Sequence, residues 1–492
     1  MNRIIQQQTS TLLLGLLSIF LFSIFILLFF FYFSLIPNYQ FFNIGIFTSI
    51  IIYNIFYGIV MFNDKNISYI LFSPLFWYKF ISTLFFGIGP LVYYFGSTIT
   101  IAYMQRYFFT TDELLSKIVL IYITTICLTD FIFLILNHFS PLPNQLSVKL
   151  INKKLLLFYT LTIGLFFKYA IIFPSVQLGI NAPGISHVFS TFIYAGIFLL
   201  YSIGQTNNLY KILFYILVGI EMGSSFLVLS KEYLYMSIIF ASFVVFFYNK
   251  NLKNIVITGL VSAFLYIAVI QNLFLVLRSA GEGNFGITSG REVSIAINAA
   301  KQMKNVSASD SNMDDSLGSF QSWWDRLSYV KYQGYAVEAY DMGYSGETFK
   351  NFKYIFIPRF IYPEKPNLNP GAAYNSLVQG SFSERAPNST GPGIFVEAYW
   401  NGGWLYVILT IIYFSFLLFY ASKIIIKNLK EKNYTILILS VNAIYIGRSI
   451  DSWFVGTYGG LILNMMIVYV FSLFIYKGLE SILDTTRIEL NE

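Results

Sequence analysis

From Thr11 to Phe33 the chain carries no charged side chain, and apolar runs of similar length recur along most of its 492 residues. A helix crosses the ~30 Å of bilayer hydrocarbon in about 20 apolar residues, so this repetition points to a helical membrane protein. Composition agrees: 56% of residues are hydrophobic and 11% are charged, against about 25% charged in soluble domains. Runs of spanning length fall at 11–33, 41–62, 79–103, 117–138, 154–172, 188–203, 212–230, 233–249, 254–277, 402–422, 434–450 and 457–476. They predict an all-α polytopic fold of about twelve transmembrane helices. The first run exceeds the ~7–15 residue core of a signal peptide and is followed by no small-residue cleavage pattern, so it is expected to stay as an anchor.

Basic residues alternate between connections. Arg3, Lys65, Lys149, Lys153, Lys154, Lys211, Lys250, Lys253, the lysines from 423 to 432, Lys477 and Arg487 all fall on one side, which the positive-inside rule makes cytoplasmic. Both termini then lie inside, and the connection between helices nine and ten lies outside. The net charge of +7 comes from these cytoplasmic segments, since 278–397 holds 11 basic against 12 acidic residues and the remainder holds 20 against 12. Such charges orient helices and meet anionic lipids; nucleic-acid binding is not implied. The chain divides into helices one to nine (1–277), an extracytoplasmic loop subdomain (278–401), helices ten to twelve (402–476) and a cytoplasmic tail (477–492).

That external loop is far longer than the ~12–15 residues usual for a structureless connection. Trp323, Trp324, Tyr335, Tyr340, Tyr344, Tyr399, Trp400 and Trp404, together with its prolines, give it a density of ring residues foreign to disordered linkers, so it is expected to be partly helical. The aromatics suit sugar stacking or, for Trp400 and Trp404 especially, a belt at the membrane surface. Three other segments depart from simple spans. Ser73-Pro74 reads as an interrupted start to helix three, with a carbonyl freed by proline to be satisfied elsewhere. Residues 173–187 read as a structured external connection, and the run from Tyr434 to Gly447 is short.

A charge inside a span costs at least ~2.5–3.5 kcal/mol and faces a partner or a cavity; Asp130, Lys168 and Glu221 fall in helices four, five and seven. At the outer ends stand Arg278, Lys231 and Arg448, the last with Asp451, while Arg326 and Arg359 lie in the loop. Arginine offers a planar fork for two phosphate oxygens, so convergence of these side chains would form a pyrophosphate site. Headgroup contacts or loop salt bridges are the plainer reading of each. Cys127 is the only cysteine, and His138 and His187 lack ligand spacing, so neither a disulfide nor a metal or other cofactor is expected.

The chain resembles the Wzy-type O-antigen and capsular repeat-unit polymerases, relatives of the O-antigen ligases. The likeness rests on one dominant late external loop; on Ile357-Pro358-Arg359 running to Pro363-Glu364-Lys365-Pro366; on Val396-Glu397-Ala398-Tyr399 through Asn401-Gly402-Gly403-Trp404; and on Ser230-Lys231. The resemblance implies a GT-C-like fold in the bacterial cytoplasmic membrane. It also implies metal-independent transfer of a growing glycan from polyprenyl pyrophosphate to the hydroxyl of another lipid-linked unit. Donor and acceptor lipids, membrane lipids and a chain-length regulator protein are the implied partners. Arg278, Arg359 and Arg448, with Lys231 and Arg326 as second choices, would stabilise charge on the leaving pyrophosphate. Glu397, or next Asp451, would take the acceptor's proton; an orienting salt bridge to an arginine is an equal reading of Glu397. A ligase and a lipid-linked oligosaccharide flippase are the alternatives. No paired, interrupted halves of the transporter kind are visible in the sequence.

Overall fold

The computed structural model describes residues 38–62, 67–139, 152–178, 184–227, 230–265, 324–357, 362–366, 370–380, 390–434 and 437–471, with a few isolated positions beside them. Among these residues there is no strand. In chain order the helices are α1 (Tyr39–Phe62), α2 (Pro74–Phe95), α3 (Thr98–Gln105), α4 (Asp112–Phe139), α5 (Lys153–Val176), α6 (Gly184–Gly204), α7 (Asn208–Leu227), α8 (Lys231–Asn249), α9 (Leu252–Leu265), α10 (Val330–Asp341), α11 (Gly371–Val378), α12 (Ile394–Lys430), α13 (Leu437–Arg448) and α14 (Phe454–Phe471). Eight of them, namely α1, α2, α4, α5, α6, α8, α12 and α14, are long and apolar enough to cross a membrane. The described residues thus form an all-helical structure with helices suited to crossing a membrane. Runs two to twelve each coincide with a described helix, though α7, α9 and α13 fall short of spanning character; the first run, 11–33, lies but for a few positions outside the described residues.

Helix three starts earlier than hydropathy places it. A short helix, Ile67–Ile70, is followed by a buried turn, and α2 begins at Pro74. Proline suits the first helical position because its missing N–H has no partner there. The carbonyl of Ile70 accepts from Ser73 Oγ at 2.6 Å and Ser73 N at 2.8 Å, while Leu75 N–H donates to Ser422 Oγ of α12 at 3.1 Å. The interrupted start is therefore present and its polar groups are satisfied, as a low-dielectric interior demands. The expected external connection at 173–187 is shorter than read, because the helix continues through Pro174 to Val176 after a wide turn.

Among the described residues, wide π-type turns occur at three places: Thr83–Ile88 in α2, Phe166–Ile172 in α5 and Phe454–Gly459 at the start of α14. Such turns recur where helices are adapted to a function, and here each meets a charged or loop residue that matters below. The described loop packs onto the helices, with α10 against α12 and α4 and the 3-10 turn Asp325–Leu327 against α2. Trp324 Nε1–H donates to Ile88 O at 2.7 Å, and a Cβ at Gly89 would stand 2.0 Å from Leu327 O. Only glycine permits this seat. Trp400 is more than a belt residue, since its Nε1–H donates to Tyr344 O at 3.0 Å and its ring lies 5.3 Å from that of buried Tyr374. Trp323 lies outside the described residues.

Candidate functional site

Two helix ends of opposite polarity meet where the loop joins the bundle. Glu232 stands in the first turn of α8, where the helix dipole favours an anion, and Arg448 ends α13, where it favours a cation. Arg448 Nη1 lies 2.8 Å from Glu232 Oε1, and the guanidinium carbon sits 5.1 Å from the centre of the Tyr445 ring, one turn back on the same helix face. Arg448 and Glu232 both keep solvent-exposed surface. Beside them, His187 Nδ1 lies 3.4 Å from Tyr233 Oη.

Asp451 occupies the turn after α13. Its Oδ2 accepts from Tyr329 Oη–H of the loop at 2.9 Å. Burial pushes the Asp451 carboxyl above the ordinary aspartate range, and the Tyr329 hydrogen bond and the Arg448 charge act against that push. A carboxylate with a raised affinity for protons, hydrogen-bonded to one phenol and within reach of one guanidinium's charge, suits general-base work. The charge of Arg326 acts on the same phenol.

Glu397 is placed differently from the expectation. It is fully buried, Oε1 accepts from Thr348 Oγ1 at 2.6 Å and Oε2 accepts from the Phe454 N–H at 2.5 Å. Asn401 Nδ2 donates to Thr348 Oγ1 and to Glu397 O, each at 2.8 Å, and Ile394 N–H donates to Ile450 O at 3.1 Å. The carboxylate thus ties the loop, α12 and the wide turn of α14 together. With both oxygens engaged and none facing solvent, Glu397 serves as a junction residue and ranks behind Asp451 as a candidate base. It has no salt bridge to an arginine among the described residues.

Of the residues expected to converge, Arg448 and Asp451 stand together, Arg326 lies one tyrosine away, and Lys231 opens α8 beside Glu232, its side chain outside the described residues. Arg278 and Arg359 also lie outside them. Glu232, His187, Tyr329 and Tyr445 were not singled out by sequence reasoning for this site. Only Glu232 left a signal, as an acid in the first turn beside Lys231. The intramembrane charges resolve into pairs: Lys168 Nζ donates to Glu221 Oε2, and Asp130 Oδ2 accepts from Lys79 Nζ. Lys79 was overlooked because the span was taken to begin there.

Comparison of this chain with protein-family models, with curated proteins and with solved structures finds no match.

Proposed function

We propose that the protein polymerises lipid-linked oligosaccharide repeat units, moving the growing glycan from polyprenyl pyrophosphate to an acceptor hydroxyl at the outer face of a bacterial cytoplasmic membrane. The observation that carries this reading is the Arg448–Glu232 pair beside the Asp451–Tyr329 pair, at the seam between helices and loop. Twelve spans, a GT-C-like arrangement and cytoplasmic termini complete it. Asp451 takes the acceptor hydroxyl's proton as that oxygen bonds to the anomeric carbon. The bond from that carbon to the pyrophosphate oxygen breaks, and the electron pair leaves with the pyrophosphate. Arg448, with Lys231, offsets the growing negative charge; fixed cations in a water-poor site do this without reorganisation. Arg278 and Arg359 remain candidates for the same task. Glu232 holds the Arg448 fork until phosphate oxygens replace it.

The test is reconstitution in liposomes with a synthetic polyprenyl-pyrophosphate repeat unit, read as a glycan ladder. The wild type should give a ladder, and Asp451→Asn should slow it by about 10²–10⁴, the usual contribution of a general base. Arg448→Lys, which keeps the charge and loses the fork, should fall between. A ladder undiminished by both changes removes the site. Transfer only to a lipid A-core acceptor would make it a ligase, and vesicle flipping without transfer a transporter.

A further inference from the structure

Three cations gather on the loop side of Tyr329, outside the centre just described. Arg106 follows α3, Lys331 stands in the first turn of α10, and Arg326 lies in the 3-10 turn before it. The Lys331 ammonium is 4.7 Å, and the Arg106 guanidinium 5.3 Å, from the centre of one ring, that of half-exposed Tyr107. The charge of Asp325 and then those of Arg326 and Arg106 act on the Tyr103 hydroxyl, one turn back from Tyr107. Lys331 is 9% exposed, and Arg326 Nε is buried with no hydrogen-bond partner. Among the described residues no carboxylate lies within ion-pair distance of any of the three; Asp325 is the acidic group of the neighbourhood. Like charges brought together in a half-buried site repel, and a buried polar nitrogen without a partner is costly. An oxyanion set among them would relieve both.

We propose that Arg106, Arg326 and Lys331 form a second oxyanion subsite, which takes a phosphate or carboxylate group carried by the lipid-linked glycan. Naming the ligand as a glycan rests on the polymerase reading, because Arg326 and Asp451 both act on the Tyr329 phenol; the binding of an oxyanion does not. Burial, followed by the charge of Arg106, pulls the Lys331 ammonium down to about 8. The groups facing it are Arg106 and Tyr107 beyond α3 and Tyr332 on its own helix, so affinity should fall between pH 7 and 9 as Lys331 loses its proton.

The test is calorimetric titration of the full chain in phosphatidylcholine nanodiscs, in an Arg448→Gln background that silences the neighbouring arginine. Inorganic pyrophosphate and glucuronate are the probes, with glucose as the neutral control. At least one anion should bind, and Lys331→Gln or Arg106→Gln should weaken it tenfold or more without lowering the melting temperature. Pyrophosphate binding alone assigns the subsite to the lipid carrier's phosphates, and glucuronate binding alone to an acidic sugar. Equal binding of glucose, indifference to both substitutions, or displacement of the anion by added phosphatidylglycerol would overturn the proposal. Because the readout is binding, failure of the glycan ladder leaves this result standing.

Discussion

Two buried ion pairs solve the same problem in different company. Lys79 of α2 and Asp130 of α4 are sealed by tyrosines: Tyr53 Oη–H donates to Asp130 Oδ2 at 2.6 Å, and the rings of Tyr53, Tyr57 and Tyr78 stand 4.8, 4.4 and 5.6 Å from the ammonium. The wall of rings closes that pair off. Lys168 of α5 and Glu221 of α7 have a similar dressing, with Tyr169 Oη–H donating to Glu221 Oε1 at 2.7 Å. Here, however, the ammonium also lies 4.8 Å from the ring of Tyr233, the residue after Glu232. The second pair is therefore one ring from the Arg448 centre, and the first is not. What separates a structural pair from one coupled to a site is its neighbours, not its own geometry.

The comparison is broken most directly at the sealed pair. Asp130→Ala leaves Lys79 charged and unpaired, which should cost about 3–5 kcal/mol, whereas Lys79→Met with Asp130→Leu should restore most of the loss. Thermal unfolding of the solubilised protein decides this, and a double variant no better than the single one would show that the pair is not the cause. Lys168→Met should lose stability similarly, but its double with Glu221→Leu should still give about tenfold less glycan per folded molecule, a loss near 1.4 kcal/mol in barrier terms. Equal activity in the two rescued doubles would erase the distinction.

Next in size is Glu397→Gln. It swaps a carboxylate acceptor for an amide at a buried junction and should cost about 1–3 kcal/mol, seen as faster proteolysis at the loop's seams before global unfolding. Lys331 supplies a smaller, pH-dependent effect. Its folded pKa of about 8 lies below the ordinary lysine value of 10.5, so between those values the unfolded chain binds more protons and stability rises with pH. Lys331→Met should flatten that rise in melting temperature. Smallest of all is the exposed Lys350–Glu347 pair, whose removal should leave the melting temperature essentially where it was. It is the solvent-exposed control for both buried pairs.

The helices were legible in the sequence because an apolar run of spanning length has few other fates. Asp130, Lys168 and Glu221 stood out for the same reason, each a charge where hydrocarbon was expected. Their pairings, and Lys79 as the partner of Asp130, did not, because residues 51 and 53 positions apart meet only once helices pack. Glu397 drew attention as a carboxylate beside a glycine-rich stretch, yet its burial depends on Thr348 and Phe454, whose approach no local pattern announces. Tyr329 and Tyr445 are two among 38 tyrosines, and nothing in spacing marks them. The acid beside Lys231 could have been weighed, since a first-turn glutamate commonly seeks a cation.

Within α12, Gly402 and Gly403 depart from helical geometry, and Gly403 sits at φ 63° with the Tyr340 hydroxyl 2.6 Å from where a Cβ would be. Any other residue would have to strain the joint and displace that phenol, so the bend is set from outside by α10 as much as by the glycines. Covalently, the segment carrying Glu397 is the beginning of a transmembrane rod. Mechanically it belongs to the loop, a bracket bolted to the rod through a two-residue knee, so the border between the two bodies is an angle rather than a change of composition.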